Sequence, residues 1–225
     1  MARKLQIKKS NALVKSFYSL SLIEHRFICM CLGDIYYKKA IDGNTDLPVS
    51  VSRFAYVFHI TEKEAYSQFK ELKESLLGKR IFIPKSQFDP AYTFNWITKF
   101  ELLTNDEVCV NFSDDIIEHI SSLDAKFVSF KIEDVQNFKS SHTFRIYEIV
   151  KSAAYDNASW RLCLFLDELK NMLCLGDCYN LYGDFKRLLD KCIAEINENT
   201  SINVSFQTRK LGKKVNQVVF SIAER

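Results

Sequence analysis

The same order of elements reads twice along the chain: a helix, a short helix, a turn, a long amphipathic helix, and then strands paired around a turn. That repetition predicts an α+β fold of two tandem winged helix-turn-helix domains, over residues 1–122 and 123–225. The two long helices also share a local pattern, Gln68-Phe69-Lys70-Glu71-Leu72 and Asp184-Phe185-Lys186-Arg187-Leu188, offset by 116 residues, close to half of the 225. The composition, 47% hydrophobic with 6 Gly and 3 Pro, supplies enough apolar surface for packed cores and is too unbiased for a disordered or fibrous chain.

In the first half, Leu20, Ile23, Phe27, Ile28, Met30, Cys31 and Ile35 recur at helical spacing, with Ser21 and Glu24 in the first turn, and predict a helix over 19–38. Asp42-Gly43-Asn44-Thr45-Asp46 is turn chemistry, and 48–58 reads as a short helical piece capped by Ser50 or Ser52. Thr61 with Glu64 three residues on forms a capping box. The helix it starts, 62–77, puts Ala65, Phe69, Leu72 and Leu76 on one stripe and Lys63, Ser67, Lys70 and Glu74 broadly on the other, and Gly78 stops it. Residues 81–84, 92–103 and 108–112 read as strands joined by hairpins, with a turn at Asn105-Asp106. The joint between domains falls at 121–123, and 124–139 is a spacer.

The second half begins with a helix over 143–155, marked by Phe144, Ile146, Tyr147 and Val150, then a short strand from Trp160 to 164. A short helix over 167–173 and a turn over 176–181 lead to the long helix 182–199, with Phe185, Leu188, Leu189, Cys192, Ile193 and Ile196 on its buried stripe. Its other face carries Lys186, Arg187, Asp190, Lys191 and Ala194. Strands over 202–208 and 214–222 flank Arg209-Lys210-Leu211-Gly212-Lys213, a wing with a basic tip.

Several function classes fall away. The two closest glycines, Gly176 and Gly183, are seven apart, so neither a phosphate-cradling loop of the Walker type nor a dinucleotide fingerprint exists. His25, His59, His119 and His142 are never closer than 23 positions, which excludes a zinc-protease helix and the His-x-His metal pair of nicking enzymes. The longest stretch free of Asp, Glu, Lys and Arg is ten residues, too short to span a bilayer. The basic start meets Lys15 and Glu24 rather than an apolar run, so no secretory signal is read, and a cytoplasmic protein is expected. Seven cysteines among apolar neighbours read as reduced core thiols, Cys174-x-x-x-Cys178 included. Asp114-Asp115 and Glu118-His119 read as capping and solvation of a short helix. No acid, base and nucleophile set, no metal site and no cofactor is expected.

The net charge of +3 is small, but residues 200–225 hold five basic residues against one acid. A helix-turn-helix acts on double-stranded DNA because the major groove admits one α-helix whose side chains reach base edges, while basic groups anchor phosphates. The expected readers are Lys186, Arg187 and Lys191, with Tyr182 at the helix start on a phosphate, and Arg209, Lys210, Lys213 and Lys214 making backbone contacts from the wing. The first half offers Lys63, Tyr66, Ser67 and Lys70, although its lysines alternate with Glu62, Glu64, Glu71 and Glu74 as in ordinary helix ion pairs.

Ser141-His142-Thr143-Phe144-Arg145-Ile146-Tyr147-Glu148-Ile149, the Trp160 strand, Asp184-Phe185-Lys186-Arg187 and Ala194-Glu195-Ile196-Asn197-x-x-Thr200 together resemble the iteron-binding plasmid replication initiators, the family containing the F-plasmid initiator. Asn11, Leu13, Leu20-Ser21-Leu22-Ile23-Glu24-x-Arg26 and Ala65-Tyr66-x-x-Phe69-Lys70 agree with the amino-terminal half of that family. The resemblance covers nearly the whole chain. It implies a carboxyl domain reading directly repeated origin sites and an amino domain adding contacts and homodimerisation. Monomers would start replication, dimers would bind an inverted-repeat operator and repress their own gene, and a host initiator and helicase would be recruited. The rival is a winged-helix transcriptional repressor with no role in replication.

Overall fold

The computed structural model describes residues 5–35, 41–85, 91–104, 106–121, 127–156 and 161–225, with backbone alone at 154–156. It opens on a strand that the sequence reading passes over, β1 (Gln6–Ser10), which turns into α1 (Asn11–Lys15) where Ser10 Oγ accepts the Leu13 N–H. α2 (Leu22–Ile35) lies inside the expected 19–38, and residues 36–38 lie outside the described ones. Its start is held reciprocally: Ser21 N–H donates to the Glu24 carboxylate at 2.7 Å, and Glu24 N–H to Ser21 Oγ at 3.3 Å.

Residues 48–50, expected as helix, belong instead to β2 (Leu47–Ser50), where Leu47 and Val49 point inward and Pro48 outward. Ser50 then caps α3 (Val51–Phe58) by accepting the Arg53 N–H, and His59 ends it in the left-handed region at φ 55°. α4 (Glu62–Leu77) starts on the expected Thr61–Glu64 box and ends at Gly78. After β3 (Arg80–Ile83), the expected strand 92–103 is two strands, β4 (Tyr92–Asn95) and β5 (Ile97–Leu102), parted at the fully buried Trp96. β6 (Glu107–Phe112) and α5 (Asp114–Ser121) follow.

The expected spacer over 124–139 holds β7 (Phe127–Lys131) and α6 (Ile132–Val135). β7 pairs antiparallel with β1, from Gln6 opposite Lys131 to Ser10 opposite Phe127, so the chain start is laddered to residues beyond the expected joint. Residues 122–126 lie outside the described ones. Then come α7 (Ser141–Asp156), β8 (Arg161–Phe165), α8 (Leu166–Met172), α9 (Tyr182–Asn199), β9 (Ile202–Leu211) and β10 (Lys214–Glu224). Trp160 lies outside the described residues.

One topology occurs twice. α2, β2, α3, α4, β5 and β6 carry a sheet of order β2-β6-β5, and α7, β8, α8, α9, β9 and β10 carry one of order β8-β10-β9, both antiparallel. In each, the strand between the first two helices pairs with the last strand, which is the winged-helix arrangement. The β3–β4 hairpin and the β1–β7 ladder are added to the first unit and the connection. The buried side chains form one cluster that runs through both units, with α7 packed against α1, α2 and α9, and His25 of α2 stacked on Phe144 of α7 at 5.1 Å.

Candidate nucleic-acid interface

The second unit presents a helix and a hairpin side by side. α9 buries Phe185, Leu189, Cys192, Ile193 and Ile196, and the helical period then turns Lys186, Arg187 and Lys191 outward. Tyr182, its first residue, is half-buried against the core. Ahead of α9 the backbone folds tightly, with Cys174, Gly176 and Tyr179 all in the left-handed region (φ 50°, 52° and 60°). This turn delivers Leu181, 72% exposed, to the helix start. An open depression of about 700 Å³ lies here, lined by Asp177, Asn180, Leu181, Asp184, Arg187 and Lys191.

Two of the three helix cations are neutralised along their own helix. Lys186 Nζ lies 2.7 Å from Asp190 Oδ2, and that hydrogen bond raises the lysine pKa. Arg187 Nη2 lies 3.0 Å from Asp184 Oδ1, with its side chain 77% exposed. The wing is different. Arg209, Lys210, Lys213 and Lys214 are all exposed, and among the described residues no ion pair or side-chain hydrogen bond engages them. The hairpin is longer than expected, turning only at Gly212, whose φ of 62° suits a residue without Cβ. β8 covers β10 only from Gln217 to Ser221, so Lys210, Lys213 and Lys214 lie past the end of the third strand, and Arg209, opposite Gln217, lies level with it. Lys186 Nζ sits 5.8 Å from the centre of the Phe206 ring, at the root of the wing, and joins helix to hairpin.

The first unit holds its charges otherwise. Lys63, Ser67 and Lys70 are exposed on α4, and Lys70 Nζ lies 4.5 Å over the half-buried Tyr66 ring. Glu62, Glu64, Glu71 and Glu74 share that helix, leaving its surface with no excess of positive charge. Its hairpin turn is tied back onto α3: Val51 N–H donates to the Asp106 carbonyl at 2.8 Å, and Ser52 N–H to Asp106 Oδ1 at 3.1 Å. Residue 105 of that turn lies outside the described ones. On β5, Lys99 pairs with Asp46 and Glu101.

Other residues singled out in the sequence have structural partners. Asp114 accepts the Gly43 N–H at 2.8 Å, and His119 bridges Ser10 Oγ (3.0 Å) and Tyr92 Oη (3.2 Å), so this pair holds tertiary contacts rather than merely capping and solvating α5. Of the cysteines, Cys29, Cys31, Cys109 and Cys192 are buried as expected, whereas Cys163, Cys174 and Cys178 are exposed. β8 alternates, which turns Cys163 outward opposite Leu164, and the other two occupy the surface turn before α9. Among the described residues no three His, Cys, Asp or Glu gather as a metal site, and no helix is long and apolar enough to cross a membrane.

The model of the first winged-helix domain of initiator replication proteins matches residues 6–151, and that of the second winged-helix domain of initiator Rep proteins matches 166–222. The chain belongs to the initiator replication protein family. That family is one of initiators rather than of enzymes. This initiator is 22% identical to an uncharacterized 27.6 kDa protein of Escherichia coli, over 99% of this chain and 96% of that one. Among solved structures it is similar to the Pi initiator protein in complex with iteron DNA, with a TM-score of 0.81 at 23% identity over 100% of this chain and 99% of that one. It is also similar to domains 2 and 3 of RctB, with a TM-score of 0.54 at 10% identity over 90% of this chain and 80% of that one. Both are likenesses of fold.

Proposed function

We propose that the initiator binds directly repeated sites at a plasmid origin as a monomer and starts replication there, and that its dimer binds an inverted repeat before its own gene and represses it. The observation that carries this reading is the row of four unpaired cations on a projecting hairpin beside α9. Unpaired lysines and arginines on one protrusion repel one another, and a polyanion relieves that repulsion. α9 enters the major groove, where Arg187 exchanges Asp184 for a base edge and Lys186 and Lys191 lie toward phosphates, with Tyr182 beside them. Arg209, Lys210, Lys213 and Lys214 neutralise the flanking backbone. The complex of the Pi initiator with iteron DNA supports the choice of ligand.

The first unit adds weaker contacts through Lys63, Tyr66, Ser67 and Lys70 and carries the dimer contact, through strands over 92–103, where β5 is the outer strand of its sheet. The site of action is the cytoplasm, and a host initiator and replicative helicase are the further partners. Footprinting of the DNA flanking its gene, at two salt concentrations, tests the reading. Evenly spaced protection over direct repeats is expected. Protection of a single inverted repeat over the promoter, with none elsewhere, would favour a repressor without a replication role and overturn it.

A further inference from the structure

α7 carries two charged residues on its buried face, Arg145 and Glu148, with side chains 3% and 0% exposed. The Glu148 carboxylate takes Lys9 Nζ of β1 at 2.6 Å on one oxygen, and the Tyr18 hydroxyl and Arg145 Nη1 at 2.9 Å each on the other. The second guanidinium nitrogen of Arg145 donates to three backbone carbonyls: Val14 and Ser16 at 3.0 Å, and Met172 at 3.3 Å. The Cζ of that guanidinium lies 3.8 Å from the centre of the Tyr18 ring.

These acceptors come from both units. Val14 and Ser16 lie at the end of α1, which follows β1, and Met172 is the last residue of α8, the helix before the turn into α9. A planar fork with donors in fixed directions satisfies all of them in only one mutual placement of α1, α7 and α8. A buried ion cluster adds little stability beyond what apolar side chains of the same volume would give, and its best-attested use is to select one arrangement among several. Burial pushes the Glu148 carboxyl up, but Lys9 and Arg145 overcome this and hold it down at about 2, so the cluster stays charged in neutral solution.

We propose that Arg145 is a positioning residue that fixes how the two winged helices sit relative to one another, and through them the base-pair spacing between the DNA segments they contact. The spacing half rests on the proposed DNA reading; the placement half does not. One inserted base pair turns the far segment by about 35° and shifts it about 3.4 Å, which a rigid pair of units cannot follow.

The test uses the full chain with Arg145→Gln, and Arg145→Lys as a milder change that keeps the charge but not the fork, each checked for native circular dichroism. Pulsed electron spin resonance between labelled non-natural residues at Glu71 of α4 and Glu198 of α9, without DNA, should give one narrow distance in the parent and a broadened or shifted distribution in the variants. Binding is then compared on the natural site and on versions with one or two base pairs inserted between the protected segments. The parent should lose at least about tenfold per insertion, and the variants less than about threefold, while still protecting the segment under α9. An unchanged distance distribution in either folded variant overturns the proposal whatever the DNA result. A broadened distribution with the parental spacing preference overturns its DNA half, and no binding by the parent overturns the functional reading alone.

Discussion

The two winged helices have the same strand order and nearly opposite uses for their charges. In the first, the hairpin turn is folded back so that Asp106 serves the start of α3, and Lys99 is held between Asp46 and Glu101. Lys79 lies against the buried Glu24 carboxylate at 3.2 Å. In the second, the hairpin runs past its sheet and carries four cations that nothing in the described chain engages. Identical topology therefore does not leave the charges in the same state. The hairpin that ends on a packed helix holds the fold, and the one that ends in solvent has charge available for a ligand.

The largest expected effect follows from removing that available charge. Replacing Arg209, Lys210, Lys213 and Lys214 by Ala should weaken binding to specific and random DNA alike by about a thousandfold at about 0.15 M salt, at roughly 1 kcal/mol per counterion no longer released. The slope of log affinity against log salt should fall by about 3–4. Filter binding over a salt series reads both quantities. A loss confined to the specific site would mean that the wing reads sequence, and the contrast between the units would need redrawing.

Stability, in contrast, should answer to acid through the seam where α2 meets α7. Burial holds the His25 imidazole down to about 3, Lys9 and Arg145 reinforce this and Glu148 opposes it, and neither ring nitrogen has a hydrogen-bond partner among the described residues. The unfolded chain binds that proton near pH 6.5 and the folded one only near pH 3, so stability is full above about 6.5 and falls as pH drops toward 3. The slope is about 1.4 kcal/mol per pH unit for this one group. His25→Phe keeps the stacking on Phe144 and should flatten the decline between pH 6.5 and 4.5 in thermal melts. An equally steep decline in the variant would assign the acid sensitivity elsewhere.

The sequence discloses what is local. α4 and α9 have their expected bounds because the Thr61–Glu64 box, Gly78 and an unbroken apolar stripe all act within a turn or two. The basic wing is legible as composition, since five cations fall among the last 26 residues. β1 and β7 escape because each is five residues long and finds its partner more than 115 positions away. The alternation of Val128 and Phe130 is present, but on β1 Lys9 shares the inward face with Ile7, and only Glu148, 139 residues on, makes a buried lysine reasonable. Arg145 and Glu148, spaced three apart on α7, are readable as an ion pair along one helix face, but their burial depends on Lys9 and Tyr18, which lie more than 125 positions away. The pairings of Lys186 with Asp190 and Arg187 with Asp184 follow from spacings of four and three, and were equally readable.

Sequence choice is expected to depend on α9 rather than on the wing. Arg187→Gln should cost roughly 10–100-fold on the specific site, the worth of one two-pronged contact to a base, and change binding to random DNA less than about threefold. It should also leave Asp184 without its partner and the salt dependence nearly unchanged. Competition between the specific site and random DNA measures the ratio directly. Equal losses on both would make Arg187 a phosphate contact and leave base recognition to other residues of the helix.

The smallest effect should come from the first hairpin. Asp106→Ala removes a side-chain acceptor from the start of α3 while Ser50 still accepts the Arg53 N–H, so about 1 kcal/mol of stability should be lost. DNA affinity at fixed salt should stay within about twofold, because Asp106 faces a helix start rather than a groove. Removing a carboxylate makes the surface more positive, so a first hairpin lying against DNA would instead bind more tightly in the variant, with a steeper salt dependence. Unfolding in urea and a salt titration of binding separate the two. Lost stability with unchanged affinity is what a wing committed to its own fold requires.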